Sequence, residues 1–235
     1  MNLSLTQAVD QVINSRHSVR AYLDTPVSTD LIKEILRVAS RAPSGTNTQP
    51  WKVYVVRGQT RELLIERVCS AQNELFANPA LSAQYQETFA YYPQQWLSPF
   101  IERRRENGWG LYGLLNIQKG EKEKMAAQQL RNYQLFDAPV GLFFTAHESL
   151  AVGSKMDIAM MIQNVMLAAK ARGLDTCPQA AWNHFHSLVL DTIDAPADEE
   201  LVCGMALGYA DPDAIVNQFL TPRVAVEEFA VFVDE

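Results

Sequence analysis

Hydrophobic and polar positions alternate with helical spacing in the first part of the chain. Apolar residues recur every three or four positions over residues 6–15 and again after Ser28, a spacing that predicts two amphipathic helices. Ser28 is a favourable N-cap, and Val27 can contact Ile32 around it as a hydrophobic staple. Proline and glycine within residues 43–45 then predict a loop.

Short apolar runs and longer periodic segments alternate along the rest of the chain. The apolar runs predict strands, and we expect the strand at residues 139–146 to be central in the sheet. The periodic segments predict two further helices, and Gly173 ends the second of them. The strands are Val53–Val56, Pro139–Ala146, Leu201–Tyr209 and Phe229–Val233, and the helices are Arg61–Leu75 and Ser154–Arg172. We expect the strand Val53–Val56 to be buried. Within the second helix, residues 156–169 are apolar on more than one face, so we expect deep burial or an interface between subunits.

The periodicity weakens between about residues 78 and 125. Eight of the 22 aromatic residues of the chain lie between Tyr85 and Tyr112, interrupted by prolines and glycines. We interpret this stretch as a segment inserted into a single domain spanning residues 1–235. The predicted fold is α+β, with a mixed or antiparallel sheet flanked by helices.

Composition and charge narrow the classes of function. The net charge of -7 argues against broad binding to nucleic acid or an anionic membrane. Three cysteines without a CxxC pair make a disulfide framework or a zinc cluster improbable. The N-terminus lacks a basic region followed by an apolar run, and no apolar stretch is long enough to span a bilayer. We therefore expect a cytoplasmic protein.

The segment Arg16-His17-Ser18-Val19-Arg20 combines two guanidinium groups with an imidazole and a hydroxyl. It offers many hydrogen-bond donors and no negative charge, and the planar fork of arginine suits phosphate oxygens. Taken alone, the segment is equally compatible with two solvated surface arginines.

A second polar segment, residues 42–51 (APSGTNTQPW), leads directly into a predicted strand. Two prolines stiffen it and a glycine makes it permissive, so it can aim backbone and amide groups at a planar heterocycle. The alternative is an ordinary connection between helix and strand, with Trp51 in the core.

Together, at this separation, the two segments resemble the nitroreductase superfamily, whose members hold FMN at the interface of an entwined homodimer. The resemblance continues in residues 174–181 (LDTCPQAA), in Gly208-Tyr209 and in Thr221-Pro222-Arg223. It covers most of the chain and is weakest at about 78–125.

The resemblance implies a set of FMN-binding residues. Arg16 and Arg223 would bind the phosphate, His17 and Ser18 would lie along the ribityl chain and ring, and Arg20 would stand near the N1–C2=O edge. Asn132 would face the pyrimidine edge. From the other subunit, the ring and ribityl group would be covered by Pro43, Ser44, Gly45 and Asn47, with Gln49 nearby. The segment facing flavin N5 would be Pro178, Gln179, Ala180 and Ala181, with backbone N–H groups of the two alanines directed at N5.

The resemblance also implies a reaction. NAD(P)H would give hydride to the flavin and leave, and a small electron-poor acceptor such as a nitroaromatic or quinone would take its place in a ping-pong cycle. No side chain is assigned as a catalytic acid, so the final proton would come from water. Quinone, enone or dehalogenation chemistry on the same scaffold, and a non-catalytic FMN-binding or storage protein, remain alternatives.

The aromatic segment would then act as a mobile lid that selects the acceptor, with Trp109, Tyr112 and Arg105 in contact with it. The alternative is that its rings fasten an extra helix to the core. No GxGxxG fingerprint, Walker A motif or GxSxG elbow is present. His184 and His186 have metal-like spacing without an evident third ligand, so no metal site is expected, and Cys177 is expected to be a small buried residue.

Overall fold

A computed structural model describes residues 3–233, so the predicted domain bounds at residues 1 and 235 lie outside the described part. Four strands form one antiparallel sheet in the order β1-β2-β4-β3. The strands are β1 Lys52–Val56, β2 Val140–His147, β3 Asp175–Gln179 and β4 Glu199–Gly208. The expected α+β class with an antiparallel sheet is confirmed, as is the central place of β2.

Helices pack on both faces of this sheet and around its ends. They are α1 Leu5–Ser15, α2 Thr29–Ala39, α3 Gly58–Ala77, α4 Phe100–Leu114, α5 Lys122–Leu130, α6 Val152–Lys170 and α7 His186–Thr192. The four helices predicted from apolar spacing correspond to α1, α2, α3 and α6. Short 3-10 helices occupy Gly45–Asn47, Pro79–Gln84, Arg131–Asp137, Ala180–Phe185, Ile215–Gln218 and Val226–Glu228.

The predicted boundary signals act as expected. The Ser28 hydroxyl accepts a hydrogen bond of 3.2 Å from the Leu31 N–H, which caps the start of α2. Val27 and Ile32 lie in the same buried cluster. Gly173 follows α6 with φ +76°, a left-handed conformation that favours glycine.

The two faces of the sheet bury separate hydrophobic clusters, because side chains alternate along each strand. On one face, Leu142 and Phe144 of β2 pack in a cluster with residues of α2 and α6. On the other face, Phe143 packs with Trp182 and residues of α3. Gly204 of β4 is required here, since a Cβ at that position would lie 2.5 Å from the Trp182 ring. At the other edge of the sheet, β3 pairs with β4 alone.

Two strand predictions need correction. The β1 segment was expected to be buried but is an edge strand, and Val55 is 38% exposed. Residues 229–233 do not form a strand, and Phe232 is 80% exposed. No strand within residues 3–233 lies beside them, and β-structure requires a hydrogen-bonded neighbour.

Several apolar side chains of α1 and α6 remain exposed in the single chain. In α1, whose residues are all outside the core, Leu5 is 82% exposed, and in α6 Met156 is 66% exposed. The apolar side chains of residues 156–169 are therefore only partly buried by the chain itself. Among residues 3–233, no helix combines the length and the hydropathy needed to cross a membrane.

Candidate active site

The arginine-rich segment lies along the free edge of β3. The Val19 N–H donates to the Thr176 carbonyl at 3.2 Å, and Val19 itself is buried. Two residues beyond the segment, Tyr22 forms an isolated β-bridge with Ala210. The backbone of residues 16–20 is thus tied to the sheet, and its polar side chains are half-buried.

Arg16 and Arg223, which lie far apart in sequence, come close together. Burial lowers the pKa of Arg16, and the positive charge of Arg223 lowers it further. Within residues 3–233, neither guanidinium forms an ion pair with a carboxylate. Arg223 donates instead to the carbonyls of Thr221 and Pro222 and to the Thr221 hydroxyl. Two neighbouring cations without an acid form a favourable site for a dianionic phosphate.

Arg20 and Asn132 line one cavity of about 200 Å³ together with Tyr112. The Arg20 guanidinium donates to the Ser18 carbonyl at 3.2 Å, and the Asn132 amide donates to the Gln129 carbonyl at 3.2 Å. A cation and an amide therefore line the same space.

Gln179 is buried, and its hydrogen bonds run inside the protein. Its side-chain amide donates to the Asn132 carbonyl at 2.7 Å, and its oxygen accepts a long bond of 3.4 Å from the Trp182 indole. In this structure Gln179 fixes the segment that carries Asn132. Ala180 and Ala181 follow it and open a 3-10 helix; helix N-termini have N–H groups without intrahelical partners.

Cys177 and Pro178 complete this part of β3. Burial raises the pKa of the Cys177 thiol to about 11, against the opposing effects of Arg20, the Ser18 side chain and Arg16. The thiol is therefore protonated at neutral pH, which fits the expected role as a small buried residue. His17, next to these groups, is half-buried with Nδ1 3.3 Å from the Ser15 carbonyl.

The loop at residues 43–49 lies elsewhere on the same chain, against α6. The Gly45 N–H donates to the Asp157 carboxylate at 3.1 Å, and the Ser44 hydroxyl accepts from the Gln49 N–H at 3.0 Å. Asn47 and Gln49 have positive φ angles of 59° and 49°. With α6 the loop lines a cavity of about 460 Å³, separate from the one lined by Arg20 and Asn132.

The three residues predicted to contact the acceptor do not all lie around one cavity. Tyr112 lines the cavity of Arg20, whereas Trp109 lines a neighbouring one of about 320 Å³, with the two rings 6.0 Å apart. Arg105 is exposed on α4. Arg103 instead lines a cavity of about 650 Å³ beside Arg223, between α4 and the C-terminal segment.

Sequence reasoning did not single out Arg103 or Asp157. Arg103 is one of three consecutive arginines, residues 103–105. Only the face of α4 on which each one lies distinguishes Arg103 from the other two. Asp157 contacts Gly45 across 112 positions in the chain, a pairing that carries no local sequence signal. Within residues 3–233, no group of His, Cys, Asp and Glu side chains is arranged to hold a metal ion, and burial lowers the pKa of both His184 and His186.

Comparison with known proteins places this site in a defined context. A family model described as the Nitroreductase family matches residues 13–209. The 4-nitrobenzoate reductase of Pseudomonas putida is 39% identical over 228 residues, which are 97% of this chain and 96% of the relative. The chloronitrobenzene nitroreductase of Comamonas testosteroni is 37% identical over 237 residues, which are 97% of each chain.

A solved structure agrees with this match over nearly the whole fold. The FMN and NADPH-dependent nitroreductase NfnB of Sphigopyxis sp. strain HMH superimposes with a TM-score of 0.90 at 32% identity, covering 99% of this chain and 100% of that chain. Sequence and structure thus agree from end to end, and the chain belongs to the nitroreductase family.

Proposed function

We propose that this protein is an FMN-dependent oxidoreductase that takes hydride from NAD(P)H and reduces small nitroaromatic acceptors in a ping-pong cycle. The observation that carries the proposal is the convergence of Arg16, Arg20 and Arg223, without carboxylate partners among residues 3–233, beside the edge of β3. The similar proteins, two nitroaromatic reductases and one FMN and NADPH-dependent nitroreductase, support the same reaction.

The donor set fits FMN at both of its polar ends. Arg16 and Arg223 supply the two cations that a phosphate dianion requires. At the other end, Arg20 and Asn132 supply a cation and an amide to one cavity, which matches the carbonyl and N–H groups of a pyrimidine edge. When bound, FMN supplies the hydride-transfer chemistry itself.

The chain then contributes position and electrostatics. Arg20 would stabilise the negative charge that reduction places at the pyrimidine edge. Gln179 would keep Asn132 in place through its bond to the Asn132 carbonyl, and the N–H groups of Ala180 and Ala181 would face N5. No side chain is assigned as the proton donor, because the Cys177 thiol is buried with its pKa raised; water supplies the final proton.

The functional unit in this proposal is a homodimer. The loop at residues 43–49 lies away from the arginines of its own chain, so it is free to cover the flavin of a second copy. The exposed apolar residues of α1 and α6, such as Leu5 and Met156, supply the surface that such a dimer buries. Sedimentation at micromolar concentration tests this: an FMN-loaded monomer contradicts the dimer.

The reaction is tested by mixing FMN-loaded protein with NADPH or NADH in an anaerobic stopped-flow instrument. We expect the flavin absorbance to bleach and then to recover when 4-nitrobenzoate or nitrobenzene is added. Protein that binds FMN and does not bleach is a flavin-binding protein without turnover. Recovery with quinones or enones but with no nitroaromatic assigns other reductase chemistry to the same scaffold.

The cofactor site is tested by Arg223→Ala. Removing this guanidinium should weaken FMN binding by about 1.5–3 kcal/mol, the contribution of a hydrogen bond to a charged group. Fluorescence titration of the apoprotein measures the change. Arg172→Ala is the matched control, because Arg172 pairs with Glu34 at 2.9 Å and is not one of the proposed FMN-binding residues. Equal FMN affinity in Arg223→Ala and the parent removes Arg223 from the site.

A further inference from the structure

One side-chain amide joins the two ends of the chain that carry the arginines. The Asn217 Oδ1 accepts hydrogen bonds from the backbone N–H groups of Arg20 at 2.8 Å and Ala21 at 3.1 Å. Its Nδ2 donates to the carbonyls of Ala21 at 2.8 Å and Asp211 at 2.9 Å. Every hydrogen-bonding position of this amide, two as acceptor and two as donor, is used.

Three of these four bonds connect the Asn217 segment to a segment near the start of the chain. The bonds to Arg20 and Ala21 span 197 and 196 positions. Asp211 also donates its N–H to the Ala21 carbonyl at 3.0 Å. Both Asn217 and Asp211 therefore bond to Ala21. Asn217 lies in the 3-10 helix Ile215–Gln218, a few residues before Arg223.

Besides the Asn217 bonds, the segment that carries Arg223 is attached by the Asp211 bond to Ala21, by an ion pair of Glu228 with Arg103 at 3.6 Å, and by apolar contacts. Val216 is buried, and the Phe219 ring contacts Gly110, where a Cβ would lie 2.8 Å from the ring. Leu220 and Thr221, between these contacts and Arg223, are exposed. Arginine side chains are long and flexible, so the separation of two guanidinium groups is set by how firmly their backbones are held. The bonds of Asn217, together with the bond from the Asp211 N–H to the Ala21 carbonyl, link the Arg223 segment to the residues that follow Arg16.

We propose that Asn217 is a positioning residue for the phosphate end of the cofactor site: it sets the separation of the Arg16–Arg20 segment from the segment of Arg223. This inference rests on the proposed function, because the ligand group that these arginines would bind is the FMN phosphate. Asn217 itself contacts backbone atoms only, and its effect on the ligand passes through the arginines.

FMN and riboflavin separate this role from a general contribution to the fold. The two flavins share the ring and the ribityl chain and differ only in the phosphate. A residue that only positions the phosphate-binding arginines affects the affinity for FMN and not the affinity for riboflavin. A residue that only stabilises the fold weakens both flavins equally or neither.

The test is the ratio of the dissociation constants of riboflavin and FMN, measured by fluorescence titration of apoprotein carrying Asn217→Ala. We expect this ratio to fall by about tenfold, the effect of losing roughly one charge-assisted hydrogen bond to the phosphate, with the riboflavin constant little changed. A ratio equal to that of the parent overturns the proposal.

Asn183→Ala is the matched control. Asn183 is a buried amide, whereas Asn217 is half-buried; it donates to the Val202 carbonyl at 3.3 Å and accepts from the Thr88 hydroxyl, and none of its bonds involves the arginine segments. This variant should lose stability and keep the parent's ratio. A control ratio that falls as far as that of Asn217→Ala assigns the effect to general destabilisation and overturns the proposal.

Asn217→Gln serves if the alanine variant does not fold. It keeps both hydrogen-bonding groups and adds no charge, but the extra methylene displaces them. We expect the ratio to fall here too, and an unchanged ratio overturns the proposal. A parent protein that binds FMN no more tightly than riboflavin is a different failure, because it removes the phosphate site itself and with it the proposed function.

Discussion

The two halves of the aromatic segment differ in how they attach to the rest of the molecule. The first half, residues 79–99, packs on the body of the fold. The Tyr85 ring lies 4.9 Å from the Phe185 ring, and the Thr88 hydroxyl is 3.2 Å from the Asn183 Oδ1 and 3.3 Å from the Leu201 carbonyl. All three partner residues are fully buried, in β4 and in the 3-10 helix Ala180–Phe185.

Neither residues 79–99 nor the second half, helix α4, contains a buried residue, so the two halves differ in the partners that they contact. Helix α4 rests on the C-terminal segment through the contact of Gly110 with Phe219. It also lines the cavities of Arg20 and Arg223 through Tyr112 and Arg103 respectively. The Arg104 guanidinium stands 5.1 Å from the Trp96 ring centroid and links the two halves.

Similar aromatic composition therefore has a different role in each half. Aromatic residues are frequent in both halves, but only those with buried partners fasten the segment to the core. We propose that residues 79–99 are scaffold and that α4 alone acts as the movable cover of the site. The lid hypothesis for residues 78–125 is thereby narrowed to its second half.

The largest expected effect comes from breaking the scaffold half. Tyr85→Ala removes an aromatic ring packed against Phe185 and should lower the free energy of unfolding by about 2–3 kcal/mol. Denaturant unfolding of the FMN-loaded protein measures this loss. Tyr92→Ala is the control in the same half, because its ring is 60% exposed, and it should cost less than about 0.5 kcal/mol. Equal losses for the two variants would contradict the scaffold assignment.

An intermediate effect is expected where α4 rests on the C-terminal segment. Gly110→Ala places a methyl group 2.8 Å from the Phe219 ring, so the helix or the ring must move, at a cost of about 1–3 kcal/mol. We expect KM for nitroaromatic acceptors to change more than kcat. Adding Phe219→Leu makes room for the methyl group and should restore KM towards the parent value. Failure of this second substitution to restore KM argues that the contact does not position α4.

The smallest effect on stability is expected in α4 itself. Trp109→Ala removes a ring that is 44% exposed and should change the free energy of unfolding by less than about 0.5 kcal/mol. It should nevertheless change kcat/KM for aromatic acceptors about tenfold, or about 1.4 kcal/mol, with flavin content preserved. Tyr91→Ala, an exposed ring of the scaffold half, is the control and should leave acceptor preference unchanged. Early melting of Trp109→Ala with constant acceptor preference would make α4 scaffold as well.

Local signals predicted the regular part of the fold. The Ser28 cap, the helical spacing of α2 and α6 and the apolar runs of β2 and β4 were read correctly, because each depends on residues a few positions apart. The strand β3 was not recognised as a strand, since its five residues include a proline and it becomes a strand through pairing with β4. The strand expected at residues 229–233 was wrong for the complementary reason: its apolar residues have no pairing partner in the described chain.

By itself, the sequence determined the fold class, the family resemblance and the residue types of the candidate site, including Arg16, Arg20 and Arg223. Only the tertiary structure decided which of these groups meet. It brought Arg16 to Arg223, separated Trp109 from Tyr112 into neighbouring cavities, and gave Asn217 three backbone bonds to Arg20 and Ala21. The physical reason is that helix and strand periodicities act over a few residues, whereas the positions of charged and amide groups depend on contacts between segments nearly 200 residues apart.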